Sequence, residues 1–322
     1  MELWRHVDEA PADWGPSVVS IGVFDGVHRG HRAVVGLAVE HARALGAMPV
    51  VVTFDPHPLA VLRPEMAPRM LTSASFRAEL LGQLGVAAVL VLPFDREIAS
   101  WAPEQFVDDV LVKALDTREV VVGEDFRFGA RAAGDVALLR RLGEQDGFEV
   151  TAVAPVGDTG HRWSSTYVRD RVALGEVELA ARALERPHRL EGRVVHGDHR
   201  GRELGFPTAN LELDPHAAVP ADGVYAGWLL RGSERLPAAV SIGTNPTFDG
   251  EQRRVEAYVL GFDDRPDALD LYGETVALEF VAHIRETVRF HGVEPLVAQM
   301  HRDVARIGEL LGVDPGPAHR PS

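Results

Sequence analysis

The chain has 322 residues, 46% of them apolar, enough to build more than one core, so two domains are expected. Its formal charge of −15 divides almost evenly, −8 over residues 1–186 and −7 over residues 187–322, and neither half carries the basic footprint of a nucleic-acid binder. The absence of cysteine excludes disulfides, thiolate catalysis and zinc–thiolate sites, and no apolar run approaches the ~20 residues of a membrane span.

The opening MELWRHVDEAPADW is charged and aromatic without the apolar core of a signal peptide, so a cytoplasmic protein with no membrane partner is expected. Over residues 18–155, Val-rich runs (VVSIGVFD, PVVVTF, VAAVLVLPF, EVVVG, FEVTAVAPV) alternate with helical patterns such as HRAVVGLAVEHARALG and SFRAELLGQLG. Unalternating apolar runs of this length suit strands buried on both faces of a parallel sheet, which predicts a doubly wound, Rossmann-like α/β domain. Ligands in such sheets bind beyond the carboxyl ends of the strands, where GVFDGVHRGH (Gly22–His31) lies after the first apolar run. Gly22 and Gly26 permit close backbone approach there, and His28 and His31, three apart, share a face at the positive end of the helix if it has begun. Two imidazoles over a helix N-terminus suit a nucleotide's phosphates; the plainer reading is a Gly-Asp-Gly turn with two surface histidines.

Further along, TFDPHP (Thr53–Pro58) presents Asp55 and His57 from a Pro-stiffened loop, or is simply a connector. In VGEDFRFG (Val122–Gly129), Asp125 precedes Phe126 and Phe128, which could stack on a flat ring or belong to the core. In SSTYVRDRV, one of Ser164, Ser165 and Thr166 serves as a helix cap, but three hydroxyls with Arg169 exceed a cap's needs and make a triphosphate grip. The single lysine, Lys113, lies in LVKAL without a glycine-rich approach, so no Walker-type loop is present.

After Arg186–Pro187 the pattern changes to strand-like segments without helical crossovers: LEGRVVHG, GVYAGWLLRG, RLPAAVSIGT, RRVEAYVLGF and ETVALEFVAHI. An antiparallel, barrel-like all-β domain over residues 187–322 is predicted, closed by a helix whose Leu296, Val297, Met300, Val304, Ile307 and Leu311 form one stripe. HGDHRGRELGFPTAN (His196–Asn210) reads as a second phosphate-type loop or, more plainly, as an Asn/Gly-rich hairpin loop with an exposed Arg pair. His196, Gly197, Arg200, Gly201, Arg202 and Gly205 supply flexibility and donors, and Pro207 fixes the turn. Thr208 and Asn210 are neutral oxygen ligands suited to Mg²⁺, and both point the same way if the segment is extended. Glu256, in an otherwise apolar strand, either faces solvent or serves as a base toward a substrate hydroxyl.

The HxGH loop with the later SST…R strongly resembles the nucleotidylyltransferase superfamily, and GVFDGVHRGH, TFDPHP and DFRFG narrow that likeness to the FMN adenylyltransferase module of bacterial FAD synthetases. Trp163 stands where that family often has Ile before SST. GFPTAN, VYAG, SIGTNPTF, VEAY, DLYG and the final helix occur in the order found in riboflavin kinases, a six-stranded barrel family. The resemblance implies residues 1–186 joining FMN to ATP and residues 187–322 phosphorylating riboflavin with MgATP. In the first half it assigns Gly22, Phe24, Asp25, His28, Gly30, His31, Ser164, Ser165, Thr166 and Arg169 to ATP, and Asp55, His57, Asp125, Phe126 and Phe128 to FMN. In the second it assigns the His196–Asn210 loop to ATP, Thr208 and Asn210 to Mg²⁺, Glu256 to base catalysis, and Arg285 to a loop that closes over the flavin. Transfer to another phosphate-bearing acceptor, and a flavin-binding regulator, are the other readings; the barrel argues against the first and the acidic charge against an RNA-binding form of the second. The oligomeric state stays open.

Overall fold

The computed structural model describes residues 1–11, 14–158, 160–197, 204–247, 250–261 and 270–314, in two compact units, 1–165 and 166–322. The first unit contains strands β1 (Glu2–Trp4), β2 (Ser17–Ile21), β3 (Met48–Asp55), β4 (Ala88–Pro93) and β5 (Thr117–Gly123). Its helices are α1 (Arg29–Leu45), α2 (Pro58–Leu62), α3 (Ala74–Gln83), α4 (Pro103–Phe106), which runs on into a π-type segment Val107–Ala114, and α5 (Val136–Asp146). Two short strands, β6 (Arg127–Phe128) and β7 (Gly134–Asp135), pair as a ribbon; β8 (Glu149–Val153) follows, and β9 (Gly157–Asp158) pairs with β10 (His161–Arg162).

The main sheet is wholly parallel in the order β1-β4-β3-β2-β5-β8. Successive residues of one strand enter opposite cores, as two-sided burial requires: Val19, Val50 and Val52 pack with Leu111 and Leu139, whereas Val51, Val89 and Val91 pack with Val35 and Leu81. Chain order runs from β2 through β3 to β4, then crosses to β5 on the other side of β2, so the loop after β2 opens at the switch point where such sheets bind ligands. β1 was not anticipated. It is three residues long, too short for any periodicity to register, and is anchored by Trp4, buried and packed edge-on against Trp14 at 4.8 Å.

The second unit opens within α6 (Ser165–Ala173), one residue after its start, takes in α7 (Val177–Leu184) and continues as a closed antiparallel barrel. Its strands are β11 (His188–Val195), β12 (Thr208–Leu213), β13 (Gly223–Arg231), β14 (Glu234–Thr247), β15 (Gly250–Val259) and β16 (Thr275–Arg285), ordered β11-β12-β15-β14-β13-β16. The six strands and closing helix match the architecture expected from the resemblance, although β12 was not among the segments read as strands. The final helix α8 (Val293–Leu311) covers part of the outer surface, with Ile307 fully buried beside Phe206, Ala226, Tyr258 and Leu260.

Helices α6 and α7 belong to the barrel's packing. Val177 is fully buried in the barrel core, Ala221 donates its N–H to the Val172 carbonyl, and the His283 N–H reaches Glu178 Oε1 at 3.0 Å. Gly175, at φ +76°, passes so close to Tyr225 that a Cβ there would meet the phenol oxygen at 2.8 Å. That phenol donates to the Ala221 carbonyl, and burial pushes its pKa up to about 12.

Candidate active sites

The first site is built on the turn between β2 and α1. Phe24 and Val27 take positive φ, 51° and 42°, with Gly26 at 83°, a run of left-handed backbone that needs an external brace. Asp25 provides it. Its carboxylate, 1% exposed, accepts from the Leu71 and Thr72 N–H groups and the Thr72 hydroxyl at 3.0–3.1 Å, while Thr72 Oγ1 accepts from the Gly26 N–H at 3.2 Å. The Phe24 ring is buried in the core beside Val35 and Val51, so these two residues shape the turn from inside.

His28 is the N-cap of α1 rather than part of it, with extended ψ of 172°. Its Nδ1 accepts from the Gly30 and His31 N–H groups at 3.1 and 3.4 Å, which in the neutral ring places the proton on Nε2. The His28 and His31 rings stack with centroids 3.6 Å apart, and Phe24 packs edge-on against His31 at 5.2 Å. The histidines therefore meet as cap and first turn instead of as neighbours inside a helix. Gly30 is required by close approach: a Cβ would stand 3.0 Å from His28 Cε1 and 3.2 Å from the Trp163 carbonyl oxygen. Trp163 is buried, and the Arg29 guanidinium lies 5.5 Å from its ring centroid. Ser165 Oγ donates to the Asp25 carbonyl at 2.9 Å, which ties the serine segment to the turn; Ser164 is half-buried in the same segment. Thr166 and Arg169 follow on α6 in the second unit.

The flavin-side candidates lie on neighbouring loops of the first unit. Asp55 ends β3, exposed, before a cis Asp55–Pro56 peptide, and His57 caps α2 by accepting from the Leu59 N–H at 3.1 Å. Asp125 is exposed and takes a 2.5 Å bond from Arg162. Phe126 and Phe128 stack at 5.5 Å; Phe128 is a core residue, and Phe126 is only partly buried against that core.

The second site lies on the outside of the barrel. Val255, Ala257 and Val259 fill the interior, so Glu256 points outward; on β12, Ala209 and Leu211 face inward, which turns Thr208 and Asn210 outward too. Register places Asn210 opposite Glu256 and Ser241 opposite Glu256 on the other side. Thr208 Oγ1 stands 3.4 Å from Glu256 Oε2, and all three side chains are half-buried. These side chains offer oxygen donors of the kind Mg²⁺ prefers, and closure of the barrel puts Glu256 on the outer face. Gly197, after β11, is required here, since a Cβ would collide with the Asn210 amide. His196 stacks on Tyr272 at 4.0 Å, Gly205 has φ +82°, and Pro207 leads into β12. Arg200, Gly201 and Arg202 lie outside the described residues.

Arg285 is the last residue of β16, at the start of the loop expected to hold it. Nε and Nη2 grip the buried Asp303 of α8 at 2.7–3.1 Å, with Gln299 donating to the same carboxylate at 2.8 Å. A second network was missed in the sequence. Asp222 accepts from the Thr244 N–H and hydroxyl at 3.0 and 2.7 Å and from Arg253 Nη2 at 2.9 Å, and Arg253 also donates to the Pro220 carbonyl. Burial opposes ionisation of Asp222, but the Thr244 hydroxyl and the Arg253 guanidinium outweigh it and hold the carboxyl below its ordinary range. Only the long-range pairing of strands brings these residues together.

The FAD synthetase family model matches residues 10–167 and the riboflavin kinase family model matches residues 184–311. The chain is similar to the bifunctional riboflavin kinase/FMN adenylyltransferase of Escherichia coli (strain K12), 39% identical over 96% of each chain. The protein of the same description from Pseudomonas fluorescens is 38% identical over 99% of this chain and 100% of its own, and that of Bacillus subtilis (strain 168) is 34% identical over 89% and 90%. A crystal structure of a macrolide-efflux protein from Streptococcus pneumoniae overlays with a TM-score of 0.82 at 32% identity, covering 94% of this chain and 96% of that one. Among the described residues, no helix is long and apolar enough to cross a membrane.

Proposed function

The chain belongs to the family of bifunctional riboflavin kinase/FMN adenylyltransferases, and from that membership we propose that it converts riboflavin to FMN in residues 187–322 and FMN to FAD in residues 1–186. The observation that carries the kinase assignment is the outward group Thr208, Asn210 and Glu256 on paired strands. Glu256 accepts the proton of riboflavin's primary hydroxyl as that oxygen attacks the γ-phosphorus of ATP; the bond to the β-phosphate oxygen breaks and ADP leaves. Thr208 Oγ1 donates to Glu256 and keeps its lone pairs for a cation, beside the Asn210 side-chain oxygen. Thr208 and Asn210 would hold Mg²⁺, which would supply charge neutralisation for the ATP phosphates.

In the first half, a phosphate oxygen of FMN attacks the α-phosphorus of a second ATP, and pyrophosphate departs with the electrons of the α–β bridge. His28, whose Nδ1 accepts from the helix backbone, and His31 stacked on it donate to the phosphate oxygens that gain charge. Ser165, already fixed to the loop carbonyl, with Ser164, Thr166 and Arg169, holds the triphosphate. Asp55, His57, Asp125 and Phe126 receive the flavin nucleotide. Incubation of the full chain with riboflavin and MgATP is the direct test: FMN, FAD, ADP and pyrophosphate are expected, and recovery of unchanged riboflavin overturns the reading.

A further inference from the structure

Arg77, in α3, is 0% exposed, the largest of the fully buried side chains. Its Nη2 donates to the Phe54 carbonyl at 3.0 Å, while Nε and Nη1 are buried without a hydrogen-bond partner among the described residues. An interior guanidinium with two idle donors is costly to bury, so packing alone does not account for it. Its electrostatic partners do: burial lowers its pKa, and the charges of Asp25 and Asp55 act against that lowering.

The position of α3 explains why these two carboxylates are involved. Its lead-in, Leu71–Thr72, clamps Asp25 beneath the turn that carries His28, and Ser73 caps the helix through the Phe76 N–H at 3.1 Å. One turn later, Arg77 reaches the end of β3, at the carbonyl just before Asp55, Pro56 and His57. One seven-residue stretch thus grips both loops of the first site from below. We propose that Thr72 and Arg77 are positioning residues for adenylyl transfer: Thr72 sets the His28 turn and Arg77 sets the Asp55–His57 loop. This rests on the assignment of the first half to FMN adenylylation.

Steady-state kinetics of FMN-to-FAD conversion in the full-length protein test it, with riboflavin phosphorylation by the same molecules as an internal control. If the wild-type chain makes no FAD from FMN, the underlying assignment fails; the proposal itself is judged in an active wild type. Arg77→Met is expected to raise KM for FMN about tenfold or more while KM for ATP stays within about twofold, because the flavin-side loop loses its hydrogen-bonded anchor. Thr72→Val is expected to show the opposite split: kcat falls about tenfold or more with KM for FMN little changed, because the His28 turn loses a clamp. An unchanged KM for FMN in Arg77→Met, or both KM values rising together, overturns the proposal. If Arg77→Met loses FAD synthesis and its first half melts while phosphorylation persists, Arg77→Lys and Arg77→Gln decide. A near-normal KM for FMN with Lys and a raised one with Gln supports positioning by charge, and equal values overturn it.

Discussion

The Nδ1 of His28 is engaged by the backbone of its own helix, so the residue has two separable roles. His28→Ala removes both the cap, worth about 1 kcal/mol, and the proposed imidazole donor. His28→Asn keeps a capping oxygen but no imidazole. Both variants are expected to lose FMN-to-FAD turnover by about 10²-fold or more, while thermal unfolding of the first half is lowered only in the Ala variant. Near-wild-type turnover in the Asn variant would show that the ring matters only as a cap. For Glu256, removal of the base as Glu256→Gln is expected to lower FMN formation by about 10²–10⁴-fold and leave FAD synthesis from supplied FMN intact; normal kinase turnover sinks the assignment. Both residues were legible in the sequence as motif members. Which nitrogen of His28 caps the helix, and which face of the barrel Glu256 takes, depended on partners 2 to 48 residues away. Asp25 shows the same limit: the motif marks it as a site residue, but its carboxylate is buried against Leu71 and Thr72.

Strands and helices were recognisable where hydrophobic runs were long. The Val-rich strands of the sheet and the stripe of α8 follow from burial of two faces or of one. β12 was obscured because its outward residues are the polar Thr208, Asn210 and Glu212, within a loop-like glycine and proline context. The Asp222–Thr244–Arg253 network joins the start of β13 to β14 and β15, and it sets a pH response for the barrel. Because the folded state holds the Asp222 carboxyl below its ordinary value of about 3.9, its contribution is fully present above that pH and is lost as pH falls through the lowered value. Asp222→Asn is expected to flatten the acid limb of barrel stability below about pH 4, measured by denaturant unfolding of the wild type and variant across pH. An unchanged slope would mean that the network carries no net proton linkage.

The whole chain divides in two ways that do not coincide. Family models meet around residues 167–184, and the composition changes at Pro187, yet the compact units separate after Ser165. The physical reason is α7: its buried Val177 completes the barrel core, and Glu178 binds the backbone of β16. A fragment of residues 166–322 is therefore expected to phosphorylate riboflavin, whereas residues 187–322 lose at least about 2 kcal/mol of stability with the burial of Val177 and its helix. Equal unfolding midpoints for the two fragments would show α6 and α7 to be dispensable.

Amino-acid order alone determined the two fold classes, the absence of thiol and Walker chemistry, and the phosphate-type motifs, because each depends on local periodicity, composition or short spacing. Tertiary structure decided the rest. It turned Glu256, Thr208 and Asn210 to one outer face, drew α6 and α7 into the barrel's unit, and placed a fully buried Arg77 beneath two loops of the first site. Those outcomes depend on strand register and on packing between distant segments, which no local pattern encodes.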